Sequence, residues 1–185
     1  MMDDAEKWLR DDDRRSRAVR AGRLSDVLRL FPIDESGLIT FGGIEAMTAL
    51  TEARLAYLNG LYLCTILAAL AVLERHFAGM FYAKGLEAAK RMSLDDVLKR
   101  AEKDSLITPE ERSEFDKFRL LRNAYAHFRE PAHELSGMHR AMREDIPFED
   151  LLRTDAQTAL ELLARYFSRA SYAALSLAGS SPASP

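Results

Sequence analysis

A chain of 185 residues, 48% hydrophobic and 30% charged, has the balance of one ordinary globular domain with a sizeable core. Its formal charge of -3 excludes a protein that coats nucleic acid through bulk positive charge, so any polyanion site must be local. The single cysteine, Cys64, has no partner for a disulfide framework or a cysteine-based zinc site, and the opening "MMDDAEKW" lacks the basic start and apolar stretch of a secretory signal, so the expected location is cytoplasmic.

Helical spacing and helix caps dominate the chain, which predicts an all-α fold. An N-terminal helical segment is expected within residues 3–30, where the arginines of "RDDDRRSRAVRAGR" are nearly cancelled by acids and read as a solvated face. "GLITFGG" (37–43) reads as a loop or a short extended piece. A long helix is predicted from about 44 to 82, bent at Asn59-Gly60. Its stretch from Leu55 to Leu73 carries no charge over 19 residues, enough to span a membrane by length. Asn59, Thr65, two tyrosines and flanks without strong positive bias instead mark it as the central helix of a bundle or dimer.

Three cap signatures follow, each with a hydroxyl three residues ahead of a carboxylate or amide: Ser93 with Asp96, Thr108 with Pro109 and Glu111, and Thr154 with Gln157. They predict helices starting near 94, 109 and 155. Between Glu130 and Phe148 two prolines, a glycine and no apolar period predict a long connection holding one short helical turn. The tail "LAGSSPASP" is expected to be disordered. The expected organisation is a helical extension over 1–43, a bundle over 44–177 and a tail over 178–185.

"RNAYAH", Arg122 to His127, carries the chemistry. At about 100° per residue, Phe115, Phe118, Leu121, Tyr125 and Phe128 fall on one apolar stripe, with Arg122 between Phe115 and Phe118 so that its stem lies along the buried arc. Arg119, Asn123 and His127 form a flanking i, i+4, i+8 row. A guanidinium directed toward a core cannot shed its charge, so it needs an anion. Glu74, the first charge after the long apolar run, is the nearest candidate. His127 has a plain helix-end role open to it as well. Arg122 and His127 lie about 140° apart on a regular helix, so either the helix ends near His127 or a second copy of the chain completes the site. From Arg112 to Arg143 seven Lys or Arg residues face four acids, a local excess of positive charge around the motif. Histidines at 127, 133 and 139 are spaced by six, which is not a helix-face ligand pattern, and neither a metal site nor a cofactor is expected.

This motif, near the end of a bundle helix that begins "ITPEE" and preceded by a long apolar helix ending in Glu, resembles the Arg-x4-6-His signature of the HEPN (higher eukaryotes and prokaryotes nucleotide-binding) domains. The resemblance covers roughly residues 44–177. It implies an up-and-down four-helix bundle that forms a homodimer and, in many members, cuts RNA without a metal, leaving a 2′,3′-cyclic phosphate. The catalytic residues it implies are Arg122, Asn123 and His127, with Glu74 in support and Arg119 and Arg129 as contacts to RNA phosphates. His133, His139, Arg140 and Arg143 are further candidates for phosphate contact. A toxin or defence effector is implied, together with an antitoxin or regulatory protein and no membrane. Members paired with a minimal nucleotidyltransferase antitoxin often have tyrosine two residues after the histidine, where this chain has Arg129. The alternative is a non-catalytic dimer module of the same fold that binds a nucleotide or a protein. A purely structural role for Arg122 and His127 is the third reading.

Overall fold

Acidic residues in its first turn and Arg29 in its last suit the helix dipole, and Met2–Leu30 forms one helix, α1. In the computed structural model, which describes residues 2–31 and 41–179, the regular elements are all helical and no strand occurs among the described residues. After α1 come α2 (Gly43–Leu58), α3 (Tyr62–Ala83), a 3-10 segment (Glu87–Arg91), α4 (Leu94–Lys103), α5 (Pro109–Ala126), α6 (Gly137–Glu144) and α7 (Phe148–Gly179). Residues 37–40 of "GLITFGG" and residues 180–185 of the expected tail lie outside the described residues, while 178 and 179 belong to α7.

The helix expected from 44 to 82 is two helices rather than one bent helix. Gly60 takes φ +77°, a left-handed conformation that Gly reaches without steric cost. The chain therefore reverses, and α2 and α3 share the most extensive interface of the fold. The Arg23 guanidinium of α1 lies over the Tyr62 ring, 5.2 Å from its centroid, and reaches the Leu58 carbonyl at 3.4 Å.

Long, apolar α3 packs against α2, α4, α5, α7 and the 3-10 segment, so it occupies the centre. By length and composition it could also cross a membrane. Ile66, Leu70, Leu73, Phe77 and Phe81 are buried along it, and Phe115 of α5 and Phe167 of α7 join the same core. Burying each such side chain contributes about 1.5–3 kcal/mol. Gly79 leaves room for the Phe41 carbonyl, which a Cβ there would strike, and so the segment entering α2 lies directly on α3.

Two of the three caps form as the sequence predicts. Ser93 Oγ accepts from the Asp96 amide at 3.2 Å. At α5 the box is complete, with Thr108 Oγ1 accepting from the Glu111 amide at 3.2 Å and the Glu111 carboxylate accepting from the Thr108 amide at 2.8 Å. The third is a correction: α7 begins at Phe148, and Thr154 lies inside it, donating its hydroxyl to the Asp150 carbonyl at 3.0 Å. A hydroxyl can bond back to its own helix as readily as it can cap one. The connection before α7 holds a full helix, α6, capped by Ser136, whose Oγ accepts from the His139 amide at 3.1 Å and donates to the Pro131 carbonyl at 2.7 Å.

Candidate functional site

The capping box sets where α5 starts, and buried Phe115 and Phe118 set its rotation against the core. Its end comes earlier than the prolyl residue at 131 would require. His127 is extended, at φ -123° and ψ 147°, and its amide makes a last helical bond to the Asn123 carbonyl at 3.1 Å. Both His127 and Phe128 therefore leave the rows that a regular helix assigns them, and Phe128 is 89% exposed instead of completing the core stripe.

Arg122 is half-buried and not directed into the core. Its Nη2 donates to Glu74 Oε2 at 3.3 Å and its Nη1 to Asn123 Oδ1 at 3.4 Å. The Glu74 contact named from the sequence is thus present. With the two side chains 28% and 38% exposed, such a pair is worth at most about 1 kcal/mol to stability. It holds the guanidinium in place without sealing it from an incoming anion.

The other named residues divide. Arg119 is drawn toward α4, with Nε on Asp116 Oδ1 at 2.6 Å and Nη2 on Asp95 Oδ1 at 3.8 Å, beside Arg112, which bonds the same two carboxylates. His127 and Arg129 are exposed. His133 Nδ1 accepts from the Leu135 amide at 3.1 Å and so shapes the turn before α6. Arg140 corrects its expected role as a phosphate contact, because it is 9% exposed and already holds a carboxylate.

That carboxylate is Asp155 of α7, 6% exposed. Arg140 Nη1 and Nη2 donate to its two oxygens at 2.6 and 2.9 Å, and the Tyr125 hydroxyl donates to Oδ2 at 2.6 Å while accepting from Arg140 Nη1 at 3.0 Å. Burial first, and then the Asp155 carboxylate, push the Tyr125 phenol above its ordinary range, so it stays a donor at neutral pH. The triad ties the last turn of α5, inside "RNAYAH", to α6 and α7. Sequence reading missed it, although Asp155 shares its helix face with buried Leu151, Ala159 and Leu162, and an acid on an apolar face is the signal.

His76 was also missed. It is 1% exposed among the rings of Phe41, Phe77, Tyr166 and Phe167. Nδ1 accepts from the Phe41 amide at 3.4 Å, leaving Nε2 to meet the Tyr166 hydroxyl at 3.3 Å. Burial pushes its pKa from 6.5 down to about 4. The unfolded chain therefore takes up this proton first. Stability from His76 is complete above pH 6.5 and drains away as pH falls toward 4. The expected loss by that point is roughly 3 kcal/mol. Urea melts across this range should show the slope in wild type and a shallower one in His76→Leu, and equal slopes would exclude His76 as the cause.

Beside α6 lies an open, mainly apolar hollow of about 530 Å³, lined by Met138, Ala141, Met142, Asp145, Ile146, Pro147 and Phe148. Among the described residues no group of three or more His, Cys, Asp or Glu side chains is arranged to hold a metal. No protein-family model, no curated protein and no solved structure matches this chain.

Proposed function

We propose that this chain is a metal-independent endoribonuclease of the HEPN type, acting in the cytoplasm as a homodimer. α2, α3, α5 and α7 are the natural candidates for the four bundle helices, with α1 an extension and α4 and α6 insertions. The observation that carries the proposal is the end of α5. There Arg122 is held half-open by Glu74 and Asn123, and the helix releases an exposed His127 five residues later.

The chemistry suits RNA. The 2′ hydroxyl attacks the adjacent phosphorus, forming the P–O2′ bond as the P–O5′ bond breaks. A base takes the 2′ proton, an acid delivers one to the departing 5′ oxygen, and the products are a 2′,3′-cyclic phosphate and a 5′ hydroxyl. One histidine cannot serve as base and acid at once, whereas His127 from each of two protomers can. Arg122 would set a forked pair of N–H donors against the phosphorane oxygens, and Asn123 would orient the phosphate or the imidazole.

Incubation of total RNA with the purified protein in EDTA should give fragments ending in cyclic phosphate. Protection of the RNA by EDTA, or 3′ hydroxyl ends, would exclude this chemistry. Intact RNA together with a nucleotide-dependent rise in melting temperature would favour the non-catalytic binding module.

A further inference from the structure

Phe128 is the most exposed large apolar side chain among the described residues, at 89%. Helical phase would have sent it to the core, but the extended backbone at His127 turns it outward. The ring stands on a short stretch anchored at both ends. Tyr125 is held before it by Asp155 and Arg140, and the Pro131 carbonyl is held after it by Ser136 Oγ at 2.7 Å. The His133 amide also closes a turn onto the Glu130 carbonyl at 2.9 Å. The backbone that carries the ring is therefore held in place before anything stacks on it.

Its neighbours indicate what that is. Exposed His127 and Arg129 flank it in sequence, Arg122 lies half-open six residues back, and Phe128 does not line the apolar hollow beside α6. A protein-docking hot spot is normally part of a contiguous apolar patch. A single aromatic face flanked in sequence by exposed His127 and Arg129 suits an unpaired nucleobase with its phosphate.

We propose that Phe128 is a stacking platform for the base next to the phosphate that Arg122 and His127 engage, which gives the site a preference for single-stranded RNA. The proposal rests on the ribonuclease reading for its place in the reaction, but the stacking itself can be measured without cleavage. A 2′-O-methylated RNA oligonucleotide cannot cyclise, so it is bound and not cut. With 2-aminopurine placed at successive positions, wild type should quench one position most strongly. Phe128→Ala should lose that quench and bind roughly tenfold or more weakly, and Phe128→Trp should restore both. An abasic nucleotide at the same position should weaken wild type comparably and Phe128→Ala no further.

Equal binding by wild type and Phe128→Ala, or no binding by wild type, would overturn the proposal. So would a change of oligomeric state in Phe128→Ala, which would mean that a second copy covers the ring. Stacking on methylated RNA with no cleavage of unmodified RNA removes the ribonuclease and leaves the platform. Cleavage that is indifferent to Phe128 does the reverse.

Discussion

Asp155→Ala is expected to lower the unfolding free energy by about 3–5 kcal/mol, the largest loss from any single polar change in this chain. Arg140 cannot deprotonate, so removing its carboxylate leaves a permanent charge 9% exposed, and the Tyr125 hydroxyl loses its acceptor in the same stroke. For a domain of this size the melting temperature should fall by about 10 °C. Replacing both charges, as Arg140→Met with Asp155→Leu, should recover most of the loss, because the cost comes from the orphaned charge and not from absence of the pair. Thermal and urea melts of the two variants test this. A loss under about 1 kcal/mol in Asp155→Ala would mean that the guanidinium finds water or another acceptor. The triad also fixes how the last turn of α5 sits on α6 and α7, so hydrogen exchange at 122–127 should quicken in Tyr125→Phe before exchange elsewhere does.

His127→Ala should slow RNA cleavage by roughly 10²–10⁴-fold, the range over which positioned acid and base catalysis acts. Arg122→Lys should slow it by roughly 10²–10³-fold, since an ammonium keeps the charge and loses the fork. Neither change should move stability by more than about 0.5–1 kcal/mol, because His127 is exposed and the Arg122–Glu74 contact is half-open. Loss of activity without loss of stability separates a catalytic role from a structural one. Glu74→Gln, which keeps the shape and removes the charge, should reduce cleavage by less than about tenfold if Glu74 only positions the arginine. Unchanged cleavage in His127→Ala would remove the histidine from the mechanism. A large stability loss in Arg122→Ala, with activity unchanged in the surviving fold, would return the arginine to a structural role.

How far these residues were legible depends on the range of the interaction. The caps at Ser93 and Thr108 are settled within four residues, and both formed as read. The same four-residue signature at Thr154 misled, because nothing local says that a helix already began at Phe148. Phe128 misled in the opposite sense, since its apolar phase continues past a point where the backbone has left the helix. Glu74 was legible as the acid nearest to Arg122 in chemical need, and the contact forms across 48 positions of sequence. Arg140, read as a candidate phosphate contact, is claimed by an aspartate that only the packing of α6 on α7 brings to it.

By itself, then, the sequence determined the helical class, two helix starts, the candidate motif and the acid that meets its arginine, because periodicity, capping and unpaired charge act over a few residues or on residue type alone. The tertiary structure alone decided that α2 and α3 fold back on one another, that α5 stops at His127, that Phe128 faces outward, and that His76 and the Tyr125–Asp155–Arg140 triad are buried. Local pattern marked a break at Asn59-Gly60 and a candidate helix end near His127, but how far the chain turns and which side chains are buried depend on how the other helices pack.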